Sequence, residues 1–166
     1  MNPKHSRPAT FIAQGAIFAA FYVVVTLLTA PISFREIQVR VSEAFTIMPC
    51  FFAGAVPGLT IGCFLANLLS GAVIWDVIFG TVATGIGAVG TWLLRKRSPW
   101  LLPLPPIISN TIIIPLVLRY GYGLDLPIPW MMLTVGIGEV ISCGILGLLL
   151  RKAVMHILPK VIGSQQ

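Results

Sequence analysis

Between Ala44 and Leu94 the chain carries a single charged side chain, Asp76. A stretch this long and this apolar cannot be solvated as a surface. It is also far too long for one helix across a hydrocarbon core about 30 Å thick, which about 20 residues span. The rest of the 166 residues follow the same pattern. Charged residues make up 10% of the chain, where soluble domains carry about 25%. The mean hydropathy of +0.94 excludes disorder, and the absence of a regular glycine period excludes collagen. A net charge of +6 would suit a nucleic-acid partner if the basic residues lined one solvated face. They sit instead in short clusters between apolar runs, the pattern of membrane topology. The expected fold class is therefore an all-α membrane protein in the lipid bilayer, one integral domain over residues 1–166, with no nucleic-acid partner.

Helix-breaking residues divide the apolar sequence. The first run, Phe11 to Ala30, ends at Pro31; it is long for a signal peptide and lacks a small-x-small cleavage site. A mixed segment, Ser33 to Glu43, follows. Pro49, the Pro57–Gly58 pair, and Gly71 with Asp76 then cut the long run. The resulting spans are about 11–30, 44–56, 59–71, 74–94, 107–118 and 130–150, making about six crossings of a compact bundle. With a cytoplasmic N-terminus, Lys4, Arg7, Arg95, Lys96, Arg97, Arg151, Lys152 and Lys160 fall inside. Only Arg35, Arg40 and Arg119 fall outside. That asymmetry obeys the positive-inside rule, needs an even number of spans, and puts both N- and C-termini in the cytoplasm. Glu36, Glu43, Asp76 and Asp125 then lie at or near the outer face, as an importer's capture site would.

A few polar residues inside the spans require partners. Glu139 sits roughly 14 Å into the last span, where a carboxylate costs about 2.5–3.5 kcal/mol on insertion scales. It is either a ligand or proton site, with Gly136 and Gly138 leaving room beside it, or a carboxylate paired within the bundle. Asn67 and Asn110 are helix–helix clamps or ligand contacts. Asp76, beside Trp75, is a helix-N-terminal acid with its indole in the aromatic belt, or part of a site. These groups come from different spans yet share a depth, which a pocket requires and scattered clamps do not.

Other motifs add less. Cys50, Cys63 and Cys143 have no CxxC spacing, and His5 and His156 lie near the ends, so neither a disulfide nor a metal centre is expected. Gly85, Gly87 and Gly90 spell GxGxxG inside an apolar span, without the strand or acidic residue of a dinucleotide site. No Walker A sequence is present, so the chain cannot by itself hydrolyse ATP by the P-loop mechanism, and no cofactor is expected. Ala9, Ala13, Ala16 and Ala20 form one stripe on the first helix, widened by Gly15 and Ala19. Such a flat face serves internal packing or the docking of a partner helix. Gly54, Gly58 and Gly62 form a second small-residue series suited to internal packing.

The segment QVRVSEAFTIMPCFFAGAVPGLTIGCFLANLLSG, Gln38 to Gly71, resembles the QueT family. The likeness extends to the first-helix alanines and to the GxGE of the last helix. These are substrate-binding S-components of energy-coupling factor (ECF) transporters, assigned to queuosine precursors. The resemblance implies a bacterial cell-membrane protein of six helices with an outward-facing pocket. It also implies partners: a T-component docked on the alanine face, and two ECF ATPase subunits. The implied ligand is a 7-deazaguanine such as queuine or 7-aminomethyl-7-deazaguanine, a flat base that could stack on Trp75 or Trp130. Its guanine-like edge and cationic amine call for carboxylates and amides: Glu139 and Glu43, Asn67 and Asn110, with Asp76 in reserve. Arg40 and Gln38 would help close a lid, unless Arg40 is a loop charge paired with Glu36 or Glu43. Two rival readings remain open. One is an S-component for another vitamin; the other is a stand-alone proton-coupled carrier using Glu139.

Overall fold

In a solvent that offers no hydrogen bonds, a segment must satisfy its own backbone, which a helix does. The computed structural model describes residues 6–29 and 40–163, and every regular element among them is helical. The α-helices are α1 (Ser6–Leu28), α2 (Ala55–Leu69), α3 (Ile74–Leu93), α4 (Leu104–Tyr120), α5 (Ile128–Glu139) and α6 (Gly147–Gly163). Four helical runs are long and apolar enough to cross a membrane: Pro8–Leu28, Ile74–Leu93, Pro99–Tyr120 and Ile128–Ile157. The shorter α2 is also apolar. The chain is a helical membrane bundle. Gln38, with Arg35 and Glu36, lies outside the described residues.

Two irregular helical segments stand at the centre. Val41–Cys50 is a 3-10 helix of ten residues, far beyond the usual three or four. Pro49 has no N–H to donate, so one backbone hydrogen bond is missing from the segment. This segment packs against α1, α2, α3, α6 and the π-helix Val140–Leu146 that joins α5 to α6. The sequence places the second span at 44–56 with its break at Pro57. In the structure the 3-10 helix stops at Cys50, and Pro57 lies in the first turn of α2, where its missing N–H is harmless. The last helical run, through the π segment, is longer than the expected 130–150.

Small residues set the helix spacing. Gly15 and Ala19 of α1 meet Gly54, Gly58 and Gly62. A Cβ on Gly58 would stand 2.5 Å from Gly15 O, and one on Gly62 2.9 Å from Tyr22 Cβ. Gly15 and Ala19 therefore belong to an inward stripe that continues to Tyr22 and Thr26, both buried. Ala9, Ala13, Ala16 and Ala20 lie about 120° round the helix, and all four are exposed. The two sets are separate faces, not one widened stripe. Across the bundle, Gly87 and Gly90 of the GxGxxG sequence receive Pro106 and Pro105 of α4. Those glycines are spacers between helices.

Gly58→Val should therefore force α1 off α2, at an overpacking cost of about 1–3 kcal/mol. The change would be read as a lower thermal unfolding midpoint in detergent. Ala16→Val, on the exposed stripe, should leave the midpoint within a degree or two of the parent.

Candidate binding site

A carboxylate inside such a bundle needs hydrogen-bond donors or a counter-charge. Glu43, one turn into the 3-10 helix, is 1% exposed. Its Oε1 accepts from the Tyr22 hydroxyl of α1 and from the Thr84 hydroxyl of α3 at 2.9 Å. Thr46 donates to the Glu43 carbonyl at 2.6 Å, and Thr26 of α1 donates to Ser42 at 2.7 Å, fixing the segment that carries the acid. Glu139, the last residue of α5, is 3% exposed. The π-helix that follows brings Cys143 round so that its thiol donates to Glu139 Oε2 at 3.1 Å. One carboxylate oxygen from each glutamate and the Cys143 sulfur all lie within 4.8 Å of one another. Asn110 of α4, 2% exposed, stands beside the Glu139 carboxyl without the geometry of a formed hydrogen bond.

This cluster is incompletely satisfied. Glu43 Oε2, Asn110 Nδ2 and Ser142 Oγ are buried without a hydrogen-bond partner. Buried polar groups are almost always paired, and leaving one unpaired costs about 1–3 kcal/mol. An orphan acceptor and an orphan donor beside a second carboxylate match a ligand that carries both N–H donors and an acceptor. The O, O and S atoms also have the spacing of metal ligands, and the Cys143 thiol lies within reach of both Glu139 Oε2 and the Glu43 carbonyl.

A second polar group lies toward the end of the bundle where α3 begins. Arg40 Nη2 holds Asp76 at 3.0 Å to Oδ2 and 3.2 Å to Oδ1. Both side chains are at most 5% exposed. Tyr122, in the loop after α4, donates to Asp76 Oδ2 at 3.0 Å. Burial and the adjacent carboxylate push the Tyr122 phenol up to about 12. Asn67 of α2 donates to the Asp76 carbonyl at 3.1 Å, which is the clamp role among its two sequence-level alternatives. Gly80 clears the space, since a Cβ there would stand 2.8 Å from Asp76 Oδ1 and 3.0 Å from Asn67 Nδ2. The Arg40–Asp76–Tyr122 contact thus ties together the start of the 3-10 helix, the start of α3 and the α4–α5 loop.

Of the residues singled out from sequence, Glu43, Glu139 and Asn110 converge, while Arg40, Asp76 and Asn67 form the adjoining ion-pair group. Trp75 and Trp130 are each about half exposed. Trp75 stacks on Phe79 at 5.9 Å and lines an open, apolar groove of about 530 Å³ with Leu116 and Tyr120, on the outer wall of α3 and α4. Sequence reasoning missed Tyr22, Thr84 and Cys143. The available signal was periodicity: Tyr22 and Thr26 are one turn apart in the otherwise apolar second half of α1, and Thr84 falls two turns after Asp76 on α3.

Removing the carboxylate charge with Asp76→Asn leaves the buried Arg40 guanidinium without this counter-charge, a loss of about 3–5 kcal/mol for such a pair. Tyr122→Phe removes one hydrogen bond, worth about 1 kcal/mol. Thermal unfolding in detergent should show a drop for Asp76→Asn several times that for Tyr122→Phe.

The QueT transporter family model matches residues 12–156. A relative named queuosine precursor transporter QueT, from Lactococcus lactis subsp. cremoris (strain MG1363), is 39% identical over 71 residues. The match covers 42% of this chain and 41% of that protein, less than half of its length. No solved structure gives a significant match. A family match over most of the chain, on a bundle of long apolar helices, identifies this protein as a multi-pass membrane protein belonging to the QueT transporter family.

Proposed function

We propose that this chain is the substrate-binding S-component of an ECF-type importer, and that it captures a queuosine precursor of the 7-deazaguanine class. The observation that carries the reading is the set of orphaned polar atoms, Glu43 Oε2 and Asn110 Nδ2, around the Glu139 carboxyl. A molecule bringing both N–H donors and a carbonyl to that cluster would satisfy what the free protein leaves unpaired. The ligand arrives from the extracytoplasmic side, past the Arg40–Asp76–Tyr122 tie, and both termini are cytoplasmic by the distribution of Lys and Arg. The family and the relative's name support the substrate class.

The energetic role follows from what the chain lacks and what it exposes. It has no Walker A sequence, and in an importer of the ECF type ATP hydrolysis belongs to two partner ATPases. The exposed alanines Ala9, Ala13, Ala16 and Ala20 give a flat helix face on which a transmembrane T-component docks by close backbone approach. On this reading the protein is not an enzyme and binds its substrate without turning it over.

Calorimetric titration of the detergent-purified protein should show 7-aminomethyl-7-deazaguanine binding, weakened about tenfold or more by Asn110→Ala. Binding of riboflavin but of no deazapurine would overturn the substrate class. Ala16→Trp should leave binding intact and abolish uptake in cells that supply the partner subunits. Uptake by the parent protein alone in liposomes under a pH gradient would favour a proton-coupled carrier instead.

A further inference from the structure

A concave strip along the outer wall of α3 ends at a cluster of cations that no carboxylate neutralises. We infer that strip and cluster form one site for an anionic phospholipid of the cytoplasmic leaflet, with an acyl chain in the groove and the phosphate on Arg95, Lys96 and Arg97. The groove holds about 500 Å³ and follows α3 from Thr81 to Leu93, with Thr60 of α2 as its far wall. Its two hydroxyls are already satisfied. Thr60 donates to the Val56 carbonyl at 2.9 Å and Thr81 to the Val77 carbonyl at 2.6 Å, each on its own helix. Ile86 and Leu93 are exposed along the strip, and Gly85, which has no side chain, keeps its floor low beside Thr60.

Length and charge choose the occupant. From Thr81 to Leu93 the helix rises about 18 Å, close to the depth of one leaflet, which is half of a hydrocarbon core about 30 Å thick. A partner's spanning helix would outrun such a groove, whereas a single acyl chain fits its length. Beyond Leu93 the chain leaves the helix through Arg95, Lys96 and Arg97, all exposed. Among the described residues the salt bridges join Arg40 to Asp76 and Arg119 to Asp125, and none reaches these three cations. Arg95 is held close to the helix end, its guanidinium 4.1 Å from the centre of the Trp92 ring and donating to the Trp92 carbonyl at 2.8 Å. The groove beside Trp75 gives the contrast: Arg119, next to its lining residue Tyr120, already has Asp125. An anionic headgroup at the Leu93 end meets three cations at the membrane surface. A zwitterionic headgroup brings its own ammonium and gains less.

Native mass spectrometry of the detergent-purified full chain tests the site, with equal amounts of phosphatidylglycerol and phosphatidylcholine carrying the same oleoyl chains. The expected spectrum shows one phosphatidylglycerol retained, at least about tenfold more abundant than the phosphatidylcholine adduct. Combining Arg95→Gln, Lys96→Gln and Arg97→Gln should erase that preference. All three residues are exposed, so the thermal midpoint of the combined variant should match the parent's. Ile86→Trp, which fills the groove from an exposed position, should lower phosphatidylglycerol retention several-fold with the cations intact. Equal retention of the two lipids, or a preference that survives loss of the three cations, would overturn the site. Retention untouched by Ile86→Trp would reduce it to surface charge and overturn the acyl-chain groove. A dimer in place of the lipid adduct would assign the groove to a second copy of the chain and overturn the lipid as its occupant.

Discussion

Two carboxylates from different helices lie side by side inside a lipid-facing bundle, and the rest of the architecture answers to that fact. A lone ionised acid in such a medium is held only by donors or by opposite charge. Here three helices each contribute to Glu43 or its neighbour: α1 through Tyr22, α3 through Thr84, and the π segment through Cys143. The donors are just enough to hold the acids in place and too few to satisfy them. On the proposed function, that incomplete satisfaction is what a ligand would complete. Arg40 and Asp76, a short distance away, show the contrast, since their charges meet directly.

Close backbone approach makes this arrangement possible. Lipid tails are as apolar as leucine, so helices associate through packing and interhelical hydrogen bonds. The Gly15–Gly58 contact lets α1 come near enough for the Tyr22 hydroxyl to reach the 3-10 helix. On the other side, Ser109 of α4 donates to the Ala83 carbonyl of α3 at 2.9 Å, one residue before Thr84. The two irregular helical segments then bring their acids into one place. A 3-10 helix rises about 2 Å per residue and is narrower than an α-helix, so it fits among five neighbours. The π segment turns wider and carries Cys143 back over Glu139.

Much of this could be read from residue types, and the reasons some could not are physical. Helix α3, Ile74–Leu93, ends where a basic cluster closes its apolar run, whereas α1 begins at Ser6, ahead of the apolar run that starts at Phe11. Glu43, Glu139 and Asn110 stood out because each is costly in hydrocarbon. The 3-10 helix was not legible: a mostly apolar ten-residue segment with one proline fits a short α-span as well, and only packing from every side decides between them. On sequence grounds Arg40 would pair with Glu36 or Glu43; in the structure it holds Asp76, a partner set by where α3 begins in space. Cys143 reads as a small packing residue until the π turn aims its thiol at a carboxylate. The alanine and glycine residues of α1 looked like one stripe because small residues share a vocabulary. Their separation by a third of a turn assigns one set to the core and leaves the other bare.

The most direct measurement is a structure of the protein with 7-aminomethyl-7-deazaguanine bound. The account predicts the ligand between the 3-10 helix, α4 and α5, its amine within hydrogen-bond distance of Glu43 Oε2 and Glu139, and an acceptor atom on Asn110 Nδ2. A ligand seated elsewhere, for instance in the groove beside Trp75 and Phe79, with the two glutamates unmoved and untouched, would contradict it.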